Sequence, residues 1–420
     1  MRIVRVFFGL LFLFMLLLNS CVGEKEAVPD DPYFKWQFAL HNPGGNYSLP
    51  RVFFRPRMQE VVLNEDVDID APEAWQLTTG SRGVIVAVMD DGFHYRHQDL
   101  IDNLWHNPGE MGVDANGNPE ENNGIDDDHN GYIDDLVGYD FVFDDADPDP
   151  YIFDGKDQSK IAPYWHGTEC AGIIGARGDN GRGIAGINWK VSLMYLKIAA
   201  QGDPSREDYA SRLRAQYATQ AIRYAADMGT RVINWSGMVS QATPEEFEEL
   251  KEAISYAAEK GVLLVIGAGN SALNLDQIED PQTVVEQFNV LSHPNILRVA
   301  CIDLEGNLET YYSYGRKFGS NYGKKRVDMV APGAYIPTTS IMSNGQDGYL
   351  LFAGTSAATP IVSGVAALVL SVNPDLTPSE LKELLVESCQ PVESIGDMVR
   401  SGGMVNAYRA VTRAREIGKR

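Results

Sequence analysis

The sequence predicts an α/β fold with a mostly parallel central sheet and helices on both faces. Short, β-branched apolar runs recur at 84–89, 191–198, 231–235, 262–267 and 297–302, each of a length suited to a strand buried on both sides. Helix-like stretches such as 208–228 and 245–260 lie between them, and strands that alternate with helices belong to a parallel sheet whose crossovers cover it. The third observation is length. A chain of 420 residues has room for two or three ordinary domains, but large α/β sheets form single units of this size, and one large domain is expected.

Taken from the N-terminus, the first segment stands outside that domain. Arg2 and Arg5 precede an apolar stretch from Val6 to Leu18, short for a membrane span and suited to a secretory signal. Leu18-Asn-Ser-Cys21 resembles a bacterial lipobox. Residues 1–21 are therefore expected to be a lipoprotein signal, with Cys21 lipidated and the acidic 22–32 segment a tether. An ordinary cleaved signal is the alternative. Residues 33–420 form the expected folded domain, with an acidic insertion at 107–163.

The first central strand runs into Val-Met-Asp-Asp-Gly and so ends on Asp90. His166 opens a small-residue helix in HGTECAGIIGA, and GTSAATPIVSGVAALVL sets Ser356 at the mouth of an apolar helix. A helix start offers unpaired N–H groups and a positive dipole end to a developing oxyanion. A serine hydroxyl needs an imidazole to take its proton, and the imidazole needs a carboxylate to fix its tautomer. Taken alone, Ser356 would read as a helix cap. The presence of both partners, Asp90 and His166, favours acyl transfer.

These segments resemble the three signatures of the subtilases, V-x-D-[ST]-G, H-G-T-H-x-A-G and G-T-S-x-A-[TS]-P. GVLLVIGAGN is similar to the family's strand ending in A-A-G-N, which implies that Asn270 donates to the oxyanion and that Ala268 and Gly269 line the substrate. VINWSGM is similar to V-I-N-x-S, which assigns Ser236 and Gly237 to pairing with the substrate chain. The resemblance covers about residues 33 to 416 and implies a subtilisin-like fold and a serine endopeptidase acting on peptides or proteins. An inactive surface binding module is the alternative of a different class, and an esterase or exopeptidase a third. Between Cys21 and Tyr33 the sequence leaves no room for the inhibitory propeptide of many relatives.

Departures from the family pattern bear on chemistry. Asp91 stands where Ser or Thr is usual, Glu169 replaces the second His, Ala357 the common Met, and Ala353 the Ser before Gly-Thr-Ser. A second carboxylate beside Asp90 would raise the proton affinity of the site and its pH optimum. After Ser236 the sequence continues Gly237-Met238. A thioether there would suit small or medium apolar side chains before the cut, whereas an acidic rim would suit Lys or Arg.

Charge is concentrated. Fifteen Asp and Glu and no Lys or Arg lie between Glu110 and Asp154, in a chain of formal net charge -23. That excludes nucleic acid as a natural partner and favours cations, leaving a lipid anchor as the sole membrane contact. NGIDDDHNGYIDD places Asp126, Asp128 and Asn130 at alternate positions, like the start of an EF-hand loop. Position twelve is Val137, so Asp134 or Asp135 would have to complete a shorter calcium loop. A plain acidic turn has similar composition. HQDL resembles the family's H-P-D-L and assigns Asp99, with Asn180, to a second calcium site. Cys170, Cys301 and Cys389 are an odd number and imply no disulfide framework.

Overall fold

A computed structural model describes residues 27–53, 60–113, 117, 119–149, 166–199, 215–237, 242–279, 291–313, 316–342 and 344–418. Among these a nine-stranded sheet forms the spine. Its strands in chain order are β1 (Gly80–Asp90), β2 (Gly138–Asp140), β3 (Lys190–Lys197), β4 (Val232–Trp235), β5 (Leu263–Gly267), β6 (Ile296–Ile302), β7 (Met329–Pro332), β8 (Gln390–Pro391) and β9 (Gly403–Met404). Across the sheet they lie in the order β8-β9-β7-β6-β5-β4-β1-β3-β2. Every neighbouring pair is parallel except β8 with β9.

The faces separate by the period-two alternation of a strand. Along β1, Val84, Val86 and Val88 join a core with α2 (His166–Gly175), α5 (Thr355–Val372) and α7 (Ala407–Ile417), while Ala87 and Met89 face α3 (Ala215–Asp227) and α4 (Pro244–Glu259). Two short helices, α1 (Ala71–Trp75) and α6 (Pro378–Glu387), pack against the first core. The expected α/β sheet with helices on both faces is what forms. α4 starts where Thr243 and Glu246 close a reciprocal capping box. α5 is long and apolar enough to cross a bilayer, yet 83% of it is buried within the fold, so its apolarity is that of a core helix.

Outside the sheet, strands Ile336–Ile341 and Asp347–Phe352 pair as an antiparallel hairpin that leads into α5. This hairpin grips α2. Thr338 and Thr339 donate from Oγ1 to the carbonyl oxygens of Glu169 and Thr168, at 2.6 and 2.8 Å. Gly172 is required at the contact, because a Cβ there would sit 2.2 Å from Thr339 Oγ1.

The end of the expected tether belongs to the folded body. Asp31 is 4% exposed, and its Oδ2 accepts from the Asp179 N–H. Acidic composition suggested a solvated segment, but the turn at 179–183 supplies backbone donors that draw it in, including Gly181 N–H to Asp30. Cys21 and the signal lie outside the described residues, as do 208–214 of the stretch expected to be helical.

Candidate active site

The sheet and two helices bring Asp90, His166 and Ser356 to one place. β1 ends on Asp90, 7% exposed, at the carboxyl edge where parallel sheets present ligand sites. His166 is the first residue of α2, and its Nδ1 lies 2.9 Å from each Asp90 carboxylate oxygen. With Nδ1–H donating to Asp90, Nε2 is left as the acceptor nitrogen. Burial would lower the proton affinity of the imidazole, but the Asp90 carboxylate outweighs it and holds the pKa well above 6.5.

Ser356 lies in the first turn of α5, and its local geometry follows from Pro360. Four residues on, Pro360 has no N–H to give the Ser356 carbonyl its helical hydrogen bond. Two groups take up that oxygen: Ser236 Oγ at 3.0 Å and Cys170 Sγ at 3.7 Å. In return the Ser356 hydroxyl donates to the Ser236 carbonyl at 3.2 Å. The hydroxyl therefore points at Ser236 and not at His166, and a rotation about χ1 separates this rotamer from one facing the imidazole.

Ser236 is itself held. Asn234, fully buried, donates from Nδ2 to Ser236 Oγ at 3.3 Å and accepts from Ser363 at 2.9 Å. Cys170 Sγ lies 3.6 Å from Asp90 Oδ2 and 3.9 Å from His166 Nδ1. Burial pushes its thiol up to about 12, so it packs as a neutral group.

Asn270 follows β5 and faces the start of α5. Its Oδ1 accepts from the Thr355 N–H and Oγ1–H, at 3.0 and 3.1 Å, which leaves the Nδ2 hydrogens to donate. Ala268 stands just after β5. It is fully buried, its N–H donates to Val299 and its carbonyl accepts from Asn321 Nδ2. The Gly269 carbonyl is likewise taken, by the Asn321 N–H. Both carbonyls thus help to fix the turn that presents Asn270. Gly237 lies beside Ser236, half-buried. Met238 is outside the described residues.

Asp91 lies behind the pair. Its Oδ1 accepts from the Gly167 N–H at 3.3 Å. Burial, and then the Asp90 charge, push its carboxyl up to about 7.

In each of the two regions expected to bind calcium, an acidic residue from outside the expected set lies close by. Asp126 and Asp128 come together with Glu110, their ligand oxygens all within 4.8 Å of one another. Asn130 donates from Nδ2 to Asp128 and Asp135. Asp134 turns away, with φ 53°, and accepts from the N–H groups of Asn123 and Gly124. The EF-hand spacing could not reveal Glu110, which lies well upstream of the loop. Burial pushes the Glu110 carboxyl up to about 7, even with the Asp127 N–H beside it. At the second region Asn180 Nδ2 donates to Asp99 Oδ1 at 3.3 Å, and Tyr349 to Asp99 Oδ2 at 2.8 Å. The buried Oδ1 of Asp31 has no partner among the described residues, and burial pushes that carboxyl up to about 7.

A family model described as the subtilase family matches residues 81–408, which span β1, α2 and α5. The chain belongs to the subtilase family. Two curated subtilase relatives share 30% identity with it, a thermophilic serine proteinase of Bacillus sp. (strain AK1) over 341 residues and halolysin of Haloferax mediterranei over 344. The aligned parts cover 81% and 82% of this chain, but only 64% and 52% of those relatives. Thermitase of Thermoactinomyces vulgaris is 28% identical, over 82% of this chain and 93% of its own length. Among solved structures, a protease from Pseudoalteromonas arctica PAMC 21717 superposes with a TM-score of 0.61 at 24% identity, covering 92% of this chain and 99% of that one. Fervidolysin from Fervidobacterium pennivorans superposes with a TM-score of 0.55 at 22% identity, over 88% and 50%. These likenesses establish the subtilisin-like fold.

Proposed function

We propose that this subtilase is a serine endopeptidase cleaving peptide bonds through an acyl-enzyme. The observation that carries the reading is the doubly accepted Nδ1 hydrogen bond from His166 to Asp90, across from a half-exposed Ser356 in the first turn of α5. In this reading the hydroxyl turns from Ser236 to His166 Nε2, which takes its proton as Oγ attacks the carbonyl carbon. The oxyanion forms between Asn270 Nδ2 and the Ser356 N–H. The imidazolium, steadied by Asp90, then protonates the leaving amine, and water attacks the ester by the same route. Ser236 and Gly237 are read as backbone partners of the substrate, with a small or medium apolar residue before the cut.

Calcium is the proposed structural cofactor, supported by the oxygen-rich clusters at Glu110, Asp126 and Asp128 and at Asp31, Asp99 and Asn180. We read the chain as exported and lipid-anchored through Cys21, facing the periplasm or exterior of a Gram-negative cell. Its basic, apolar and Leu-Asn-Ser-Cys segments support this.

A fluorophosphonate probe tests the catalytic reading. Labelling of the wild type and its loss in Ser356→Ala are expected. A folded, calcium-loaded wild type that takes no label would overturn it.

A further inference from the structure

We infer, on the strength of the peptidase reading above, that Asn321 is a positioning residue for that reaction: it sets Asn270 where the oxyanion donor must stand. Asn321 is fully buried. Its side-chain amide closes onto the turn that follows β5. Oδ1 accepts from the N–H groups of Ser271 at 3.1 Å and Leu273 at 2.8 Å, and Nδ2 donates to the Ala268 carbonyl at 2.8 Å. The Asn321 N–H donates to the Gly269 carbonyl at 2.7 Å. Residues on both sides of Asn270 thus hang from one residue.

The turn needs such a bracket because its backbone is not one that the chain adopts unaided. Gly269, just before Asn270, has φ 97°, and Ala272, two residues after it, has φ 56°. The left-handed region suits the glycine, but an alanine stays there only where its surroundings impose it. The N–H groups on either side of Ala272 converge on the one oxygen, Oδ1 of Asn321, as backbone concavities of this kind converge on a negative atom. Chemistry selects asparagine. One short planar group must offer an acceptor to two N–H groups and a donor to a carbonyl, which an amide on a single methylene does. The reverse orientation of the amide would bring like groups together on both sides. A carboxylate would set an oxygen against the Ala268 carbonyl.

Asn321 is in turn fixed to the sheet. Ser320, fully buried, accepts from the Cys301 N–H of β6 at 2.8 Å and donates to the Asn321 carbonyl at 3.0 Å. The Gly319 N–H donates to the Asn270 carbonyl at 3.2 Å, and the Gly319 carbonyl accepts from the Ala272 N–H at 2.7 Å. At its side-chain end Asn270 is tied to α5 through Thr355, and a Cβ on Gly354 would lie 3.2 Å from Asn270 Oδ1. Oxyanion donors act at about 2.7–3.1 Å, so a turn that drifts by less than a bond length takes Asn270 Nδ2 out of range.

The test is a double-mutant cycle on a chromogenic peptide. It measures kcat and KM for the wild type, Asn321→Ala, Asn270→Ala and the double variant, with folding checked by circular dichroism and thermal melting. Asn321→Ala is expected to lower kcat by roughly 10- to 100-fold with KM within about twofold, and by less than about threefold when Asn270 is already alanine. Asn321→Asp is nearly isosteric, keeps the acceptor and loses the donor. It should lower kcat with the same dependence on Asn270, and it decides the matter if Asn321→Ala does not fold. Equal fold-losses in the two backgrounds, a loss carried by KM, or an unchanged kcat in folded Asn321→Ala overturns the inference. Failure of both Asn321 variants to fold also overturns it, since Asn321 would then support the fold at large. A wild type that neither hydrolyses peptide nor takes the fluorophosphonate label overturns the peptidase reading and the inference with it, whereas an active wild type with independent variants overturns the inference alone.

Discussion

The Phe352 ring meets the His166 imidazole edge to face, with centroids 5.0 Å apart and planes at 83°. Phe352 ends the hairpin that grips α2, so the strand leading to Ser356 also supports the ring of the proposed base. Aromatic pairs of this geometry contribute about 0.5–1.5 kcal/mol. We expect Phe352→Ala to lower kcat/KM on a chromogenic peptide by roughly 2- to 10-fold, with Phe352→Tyr restoring it. An unchanged rate in Phe352→Ala would mean that the hydrogen bond to Asp90 alone orients the imidazole.

Asn270 is tied through Oδ1 and free to donate through Nδ2. In subtilisin, removing one such donor costs roughly 100- to 1,000-fold in turnover, and we expect a loss of that order for Asn270→Ala. Stopped-flow acylation would check it, with KM little changed, because the donor meets charge only in the transition state. A loss confined to KM would place Asn270 in ground-state binding.

Asp91 makes stability and activity depend on pH in a stated direction. Its folded carboxyl titrates at about 7 against 3.8 for a free one, through burial and then the Asp90 charge. The folded state thus holds this proton more tightly. Its contribution to stability is full below 3.8 and is lost as pH rises through about 7. Asp91→Asn should therefore flatten the fall in melting temperature over that range. Removing the charge also weakens the hold of His166 on its proton, so the rising limb of kcat/KM should move to lower pH. A limb that stays in place would exclude Asp91 from the electrostatics of the base.

Lys197, at the end of β3, forms a buried pair with Asp140 of β2, Nζ to Oδ2 2.7 Å, the two side chains 4% and 1% exposed. Burial holds the Asp140 carboxyl above its usual range even with Lys197 beside it. Lys197→Met would leave that carboxylate without a counter-charge, at a cost of about 3–5 kcal/mol. Replacing both with apolar residues should cost much less. Denaturant unfolding of the single and double variants measures the difference, and equal losses would point to the hydrogen bond from Lys197 to the Asp149 carbonyl rather than to the Asp140 charge.

The segments that meet at Asp90, His166 and Ser356 were legible because each is a short local pattern of distinctive residue types. Burial of the strands on both faces made their apolar runs stand out, and β1 proved longer than its run because it starts at Gly80, which pairs with Lys190 of β3 ahead of an irregularity that ends at Ile85. β2 and β9 were invisible, at three and two residues too short to have a pattern of their own; their pairing is set by neighbours. The same limit hid Glu110 and Asp31. Both are acidic residues whose burial depends on backbone donors far along the chain. Asp134 directs its carboxylate to the N–H groups of Asn123 and Gly124, and its φ of 53° reverses the chain where the loop spacing assumes continuation.

The grip of Thr338 and Thr339 on α2 has an architectural consequence. Only Ala353, Gly354 and Thr355 separate the hairpin from Ser356, so the proposed base His166 and the proposed nucleophile Ser356 hang from one short lever. Added length between 352 and 356 would throw the two out of alignment. The exposed bend at 344–346 lies beyond the fulcrum. It is the place where the loop can grow, or accept a grafted segment, without the chemistry registering the change.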